Sequence, residues 1–403
     1  MDHLNAFVND QWSIGRATLN LGARFDHYKV YTPEQKQLAF SIFPGCETRT
    51  DVICAIPAET FPARTFFTWN SFVPRIGLVY DLTGDGKTVI KTNYGYFKHN
   101  PGTSIADSAN PNQAAKIITY RWTDLSGDGL FQPGEQGTVI STALAGSVFV
   151  ADDISQPYTH EASLFLERQL TNDIGARVGF VYKTEDNFWQ TYRPLRPISN
   201  YTVPFTFVDI GPDGLRNTPD DRPLTFLAIP NALAGPATAR SVIQNVPAIS
   251  RYKTLELSLN KRFTNRWSAG LGFGYTWTRE NQDTYRGNTI SPSQYKNSPN
   301  DTDLHEFTNW GFKLHGTYDG PWDIRLTPLL RHQSGHPYGR ILTVSAPSGL
   351  FYSGTILVEP LNTRRMDNIN IFDVRAEKIL RLQGTRLRLF LDVFNIFNSH
   401  ASE

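Results

Sequence analysis

The sequence predicts an all-β protein, an antiparallel transmembrane β-barrel of the large kind, with about twelve strands and long extracellular loops. Three observations predict it. Apolar and polar residues alternate with period two along much of the chain, tight turns join the alternating segments in pairs, and long polar stretches separate the pairs. Composition agrees: 13% of the 403 residues are aromatic and only 19% charged, with 30 Gly, 25 Pro and 2 Met. That balance favours strands and turns over helices.

The strands can be read in order. The chain enters the first near Leu4, and Gly15-Arg16 turns it back into Ala17 to Tyr28. There Ala17, Leu19, Leu21, Ala23 and Phe25 oppose Thr18, Asn20, Gly22, Arg24 and Asp26, an alternation that a helix would scatter around its circumference. The same pattern recurs at Ile76/Leu78/Tyr80, Ala176/Val178/Phe180/Tyr182 and Leu255/Leu257/Leu259. Between Trp267 and Trp277 one face is wholly apolar and the other holds Ser268, Gly270, Gly272, Gly274 and Thr276. Trp310/Phe312/Leu314/Tyr318, Trp322/Ile324/Leu326/Leu330 and Leu387/Leu389/Leu391/Val393 complete the series. Further turns fall at Thr83 to Lys87, Thr171 to Asp173, Thr264 to Arg266, Asp319 to Pro321 and Gln383 to Thr385, each with the Gly, Asn, Asp or Pro that tight hairpins need.

Between hairpins lie polar stretches at about 31–71, 99–157, 185–250, 279–305 and 333–369, far beyond the usual ~4 to 6 residue connection. Short turns on one rim and long loops on the other is the layout of bacterial outer-membrane barrels. The length also fits. Ten steps of ~3.3 Å from Trp267 to Trp277, tilted by ~40°, project to about 25 Å, the height of an apolar band with an aromatic residue at each interface. A β-sandwich is the alternative, but its inner faces would be apolar, whereas these carry glycine and charge. By strand parity both chain ends emerge on the long-loop rim, so at least one further strand is expected beyond each end.

Charge identifies no partner: 39 Lys and Arg balance 38 Asp and Glu, which leaves no electrostatic footprint for nucleic acid. No run of 18 apolar residues occurs, which excludes a transmembrane helix and says nothing against strands that are only half apolar. The first ten residues lack a secretory signal pattern. Cys46 and Cys54 lie close together in a polar, Pro-rich stretch, a spacing that fits a loop-closing disulfide or, alternatively, two free thiols.

Three segments carry a family resemblance. Phe7-Val8-Asn9-Asp10-Gln11-Trp12 followed by Leu19 to Asp26, then Pro74-Arg75-Ile76-Gly77-Leu78-Val79-Tyr80, then Asp392-Val393-Phe394-Asn395-Ile396-Phe397-Asn398 resemble, in order, landmarks of TonB-dependent outer-membrane receptors. The Oar-like branch, with an N-terminal carboxypeptidase-regulatory-like domain, is the most similar. The resemblance covers essentially residues 1–403 as one barrel domain. It implies outer-membrane lipid around the barrel, an extracellular ligand and energy from TonB through a plug domain, while the plug, the TonB box and the closing strand are missing from these residues.

The sharpest local motif is Asp124-Leu125-Ser126-Gly127-Asp128-Gly129-Leu130, with Glu135 at position 12. Oxygen donors from Asp124, Ser126, Asp128, the Leu130 carbonyl and Glu135, around a glycine turn, match a calcium loop, and a solvated Asp/Gly turn shares the composition. A looser copy offers Asp209, Asp213 and Asp220. Calcium there would stiffen long extracellular loops without implying catalysis. His332 and His336, four apart on a loop broken by Gly and Pro, make a poor metal pair, and no catalytic motif or assignable carboxylate pair occurs. The expected function is receptor-mediated uptake of a bulky nutrient. The alternative is a surface β protein that grips a glycan or protein through calcium-stiffened loops, with an enzyme third.

Overall fold

The computed structural model describes residues 1–41, 55–113, 117–132, 134–143, 148–234, 238, 240–246, 249–280, 305–359, 363–382 and 384–399. Its main body is one twelve-stranded antiparallel sheet in which each strand pairs with the next along the chain. The strands are β1 (Asp2–Ile14), β2 (Ala17–Thr32), β3 (Arg64–Asp81), β4 (Thr88–Lys98), β5 (Tyr158–Gln169), β6 (Ile174–Asp186), β7 (Ile249–Thr264), β8 (Trp267–Glu280), β9 (His305–Asp319), β10 (Ile324–Gln333), β11 (Ile369–Leu382) and β12 (Thr385–Val393). Each short connection is a tight turn. Between β7 and β8, Asn265 and Arg266 both take positive φ (51° and 72°), the mirror-image turn whose twist matches the flanking strands.

Register confirms the assigned faces. Leu259, Leu271 and Leu314 lie side by side across β7, β8 and β9, as do Leu257, Phe273 and Phe312; on the opposite face Ser258, Gly272 and Lys313 align. Trp267 pairs with Tyr318 at the short-turn rim, and Trp277 lies beside Lys253 and Thr308 towards the long loops. The apolar face stays exposed on the isolated chain: Leu164, Phe180, Leu271, Leu314 and Leu389 all lie open, as expected of a wall meant for lipid. At the short-turn rim Lys261 lies 4.1 Å from the Trp267 ring centre and 3.2 Å from Asp173, also donating to turn carbonyls. This is how a cation at a membrane interface reaches polar partners. Among the described residues β1 and β12 each pair on one side only.

Three features depart from the sequence reading. Trp322, read as the first residue of a strand, lies in the 3₁₀ turn Pro321–Asp323 that precedes β10. β3 starts at Arg64, well inside the stretch read as loop, with a register shift where Val30 and Tyr31 of β2 oppose Phe67 and Thr65. The long connections are also structured. Within 99–157 lie helix α1 (Ser104–Ala109) and a hairpin of Ile117–Trp122 with Gln136–Ala143. Strands Val148–Val150, Trp189–Tyr192 and Ser241–Asn245 make a small sheet from two loops. Cys46 and Cys54 lie outside the described residues.

Candidate functional site

The candidate site is the polar face of the sheet together with the rim of long loops above it. Many charges on that face are neutralised within a strand or across neighbouring strands. Arg24 grips Asp26 bidentately (2.8 and 2.8 Å), and His3 Nε2 lies 2.8 Å from the same carboxylate. Lys91 pairs with Glu167 at 2.8 Å, Arg177 with Glu256 at 2.9 Å, and Arg375 with Asp392 at 2.6 and 2.8 Å. Three of these arginines or their neighbours cover a phenylalanine: Arg75 on Phe97, Arg177 on Phe165 and Arg375 on Phe390, at 4.7 to 4.9 Å. Stacking the planar guanidinium keeps its charge towards water while covering one side of the ring.

Not every charge on this face is paired. Lys313 and Arg331 stand opposite each other on β9 and β10, both exposed, with no carboxylate partner among the described residues. Beside them a Cβ added to Gly272 or Gly274 would meet nothing within 4 Å. Neither turn geometry nor a close neighbour in this chain demands glycine there, so the polar face offers a smooth, positively charged trough.

Towards the long loops the polar face becomes apolar, which the alternation did not reveal. Tyr28, Val30, Phe67 and Trp69 are buried there beneath Ile105, Ala106 and Ala109 of α1 and beneath Val150, Ile154 and Ile243. Trp69 donates its indole N–H to the Ile154 carbonyl at 3.1 Å and stacks on Phe67 at 4.0 Å. The buried Ser71 hydroxyl bonds to Gln156, whose amide donates to the His99 carbonyl at 2.7 Å. Described parts of the loop at 99–157 thus fold onto the polar face.

A second core lies wholly within the loops. Tyr201, Phe205, Phe226 and Ile229 from the β6–β7 connection pack with Val344, Tyr352, Ile356 and Val358 from the β10–β11 connection. Strand Val203–Asp209 pairs with Arg222–Pro230, which in turn pairs with Leu350–Phe351 of the other loop. Beside this core the fully buried Asp209 receives Arg340 bidentately, at 2.5 and 2.7 Å, and Arg340 also reaches Glu359, which Arg364 holds at 2.8 and 3.0 Å. The Arg340 guanidinium holds the Asp209 carboxyl below the usual carboxylate range, and Arg364 does the same for Glu359.

The residues read as calcium ligands are placed as follows. Asp124 accepts the Gly127 and Gly129 N–H groups at 2.6 and 2.9 Å and the Ser126 hydroxyl at 3.3 Å. Asp128 accepts Leu130 N–H and the Gln132 amide. Glu135 accepts N–H groups of Leu125, Ser126 and Gln132 and the Trp122 indole. These hydrogen bonds depress all three carboxyls. The donors are thus committed to N–H groups, and a cation would have to displace several of them. In the looser copy Asp209 is taken by Arg340, Asp213 accepts Leu215 N–H and Asp220 accepts the Thr218 hydroxyl. Among the described residues no three His, Cys, Asp or Glu side chains gather as a metal site. His332 instead closes β10 on the apolar face, 4.3 Å from the Trp310 ring and bonded to Asn370, while His336 bonds to the Pro337 carbonyl.

The family described as "Outer membrane beta barrel domain" matches residues 2–322. No curated protein matches the chain. Among solved structures, the outer membrane transporter YddB from Escherichia coli is similar at a TM-score of 0.43 and 9% identity, over 99% of this chain and 50% of that one. The FrpB iron transporter from Neisseria meningitidis (F3-3 variant) gives 0.48 and 12%, over 98% and 41%. The ferripyoverdine receptor of Pseudomonas aeruginosa gives 0.44 and 12%, over 99% and 35%. The chain spans half or less of the length of each.

Proposed function

This chain belongs to the outer membrane β-barrel domain family, and from that premise we propose that it forms the wall of a TonB-dependent receptor of the Oar-like branch, a transporter rather than an enzyme, that takes up a bulky nutrient. The observation that carries the reading is the sheet's two-sidedness beneath a rim of folded loops: lipid-facing Leu, Phe and Trp on one side, charge and glycine on the other. In this reading the loops capture the ligand outside. The trough at Gly272, Gly274, Lys313 and Arg331 then meets whatever fills the lumen, and a plug domain in the complete protein makes the TonB contact.

Uptake is the test. Cells carrying the complete reading frame, with and without functional TonB, are offered iron chelates, cobalamin, oligosaccharides and peptides. Accumulation of one of them that needs both the frame and TonB is the expected result. Binding of a glycan or protein at the surface with no TonB-dependent accumulation of any would replace transport by the adhesion reading.

Calcium in the extracellular loops is a separate proposal with its own check. Millimolar calcium is expected to slow proteolysis within 123–135 relative to chelator, and Asp124→Asn with Glu135→Gln should abolish the difference. Equal cleavage of the wild type in both conditions removes calcium from the account.

A further inference from the structure

On the apolar face, where β6 to β9 approach the long loops, the side chains change in cross-strand rows. Phe180, Leu255, Tyr275 and Trp310 make one row, and Tyr182, Lys253, Trp277 and Thr308 the next. Thr184, Arg251, Arg279 and Glu306 follow nearest the loops. A groove of about 690 Å³ runs over these rows, with Phe180, Tyr182 and Trp277 at its apolar end and Lys253, Arg251 and Arg279 at the other.

We propose that this groove binds a phosphorylated lipid of the outer leaflet, acyl chains along the aromatic end and phosphate between the three cations. The proposal rests on the membrane placement given by the family and on the long loops facing outward. Cations just beyond an aromatic belt sit at headgroup depth, where a phosphate is the available counter-ion. Guanidinium forks suit phosphate oxygens, and Lys adds a point charge. The existing partners leave capacity for it. Lys253 has no carboxylate partner among the described residues, Arg251 lies 3.9 Å from Asp186 with its Nε unbonded, and Arg279 meets Glu306 at 3.2 Å in an exposed, weakly held pair. Elsewhere on this face the loop-side ends carry single cations, Lys29 on β2 and Lys98 on β4, the latter already over Tyr96 and Tyr158. Among the described residues, only here do two neighbouring strands bring three together on this face.

The test uses the chain inserted in phosphatidylcholine nanodiscs containing lipid A or its dephosphorylated form. Bound lipid is counted by native mass spectrometry, and insertion is verified by heat-modifiable gel mobility. Retention of lipid A at about tenfold over the dephosphorylated form is expected, falling about tenfold in Arg251→Ser/Arg279→Ser and staying near wild type in Arg251→Lys/Arg279→Lys. Lys313→Ser/Arg331→Ser, on the other face, should retain lipid A normally. Correct insertion with no preference for the phosphorylated lipid, or equal loss in the lumenal variant, overturns the site and leaves the barrel reading standing. Displacement by millimolar inorganic phosphate alone would overturn the lipid as occupant. Failure of the wild type to insert would instead count against the barrel reading itself.

Discussion

Leu271→Arg stops the chain from assembling in a bilayer, whereas Gly272→Lys, one residue along the same strand, leaves assembly intact: this is the largest single-residue contrast expected of the protein. Leu271 lies between Trp267 and Trp277 on the lipid side, level with Leu259 and Leu314. A cation near the bilayer midplane on a barrel's lipid face costs about 2–4 kcal/mol, and Phe273→Arg should behave alike. Gly272 points to the polar face, where an added side chain meets open space. Ser268, on that same face, should also accept charge. Insertion into lipid vesicles, followed by protease protection and heat-modifiable mobility, measures the difference. Equal tolerance at Leu271, Phe273 and Gly272 would mean that the two faces are wrongly assigned, and with them the membrane.

The second large effect lies in the loops. Arg340→Met leaves Asp209 fully buried without its bidentate partner. Removing one member of a buried pair costs about 3–5 kcal/mol, enough to open a module whose core is nine buried residues. Hydrogen exchange should report lost protection in both 203–230 and 341–357, while β6 to β9 keep theirs. The pair also sets a pH response. Because the folded carboxyl of Asp209 titrates below its unfolded value, its contribution is complete above the ordinary carboxylate range of about 4 and disappears as pH falls through the lower folded value. Protection should therefore persist at pH 5 and decline only in stronger acid. Loss confined to 341–357 in Arg340→Met would show that the two loops do not fold as one.

The strands of the wall were legible because lipid on one side and water on the other impose a strict period of two, visible in Trp267 to Trp277 without any knowledge of partners. The start of β3 was not. Phe66 and Phe67 are adjacent apolar residues at a register shift, and beyond it the inner face is itself apolar, so the alternation that marks a strand vanishes where Trp69 and Phe67 meet the loop at 99–157. The loop core was hidden for another reason. Asp209 and Arg340 lie 131 residues apart, and no local pattern joins them. Asp209 instead stood within a run of Asp and Gly whose spacing matched cation ligands. The Asp124 segment matched on the same grounds, since the glycines that bend a calcium loop also let carboxylates cap their own backbone, as Gly127 and Gly129 do here at positive φ.

The joined loops spring from either side of a block of four strands, β7 to β10, so the module spans that arc of the rim like a handle riveted at both ends. Changes to the buried residues of either half should therefore disturb the other. Grafts between related barrels that exchange 187–248 alone should yield misfolded surfaces, and those that carry 334–368 and the sheet partner 148–156 along with it should transplant a working unit.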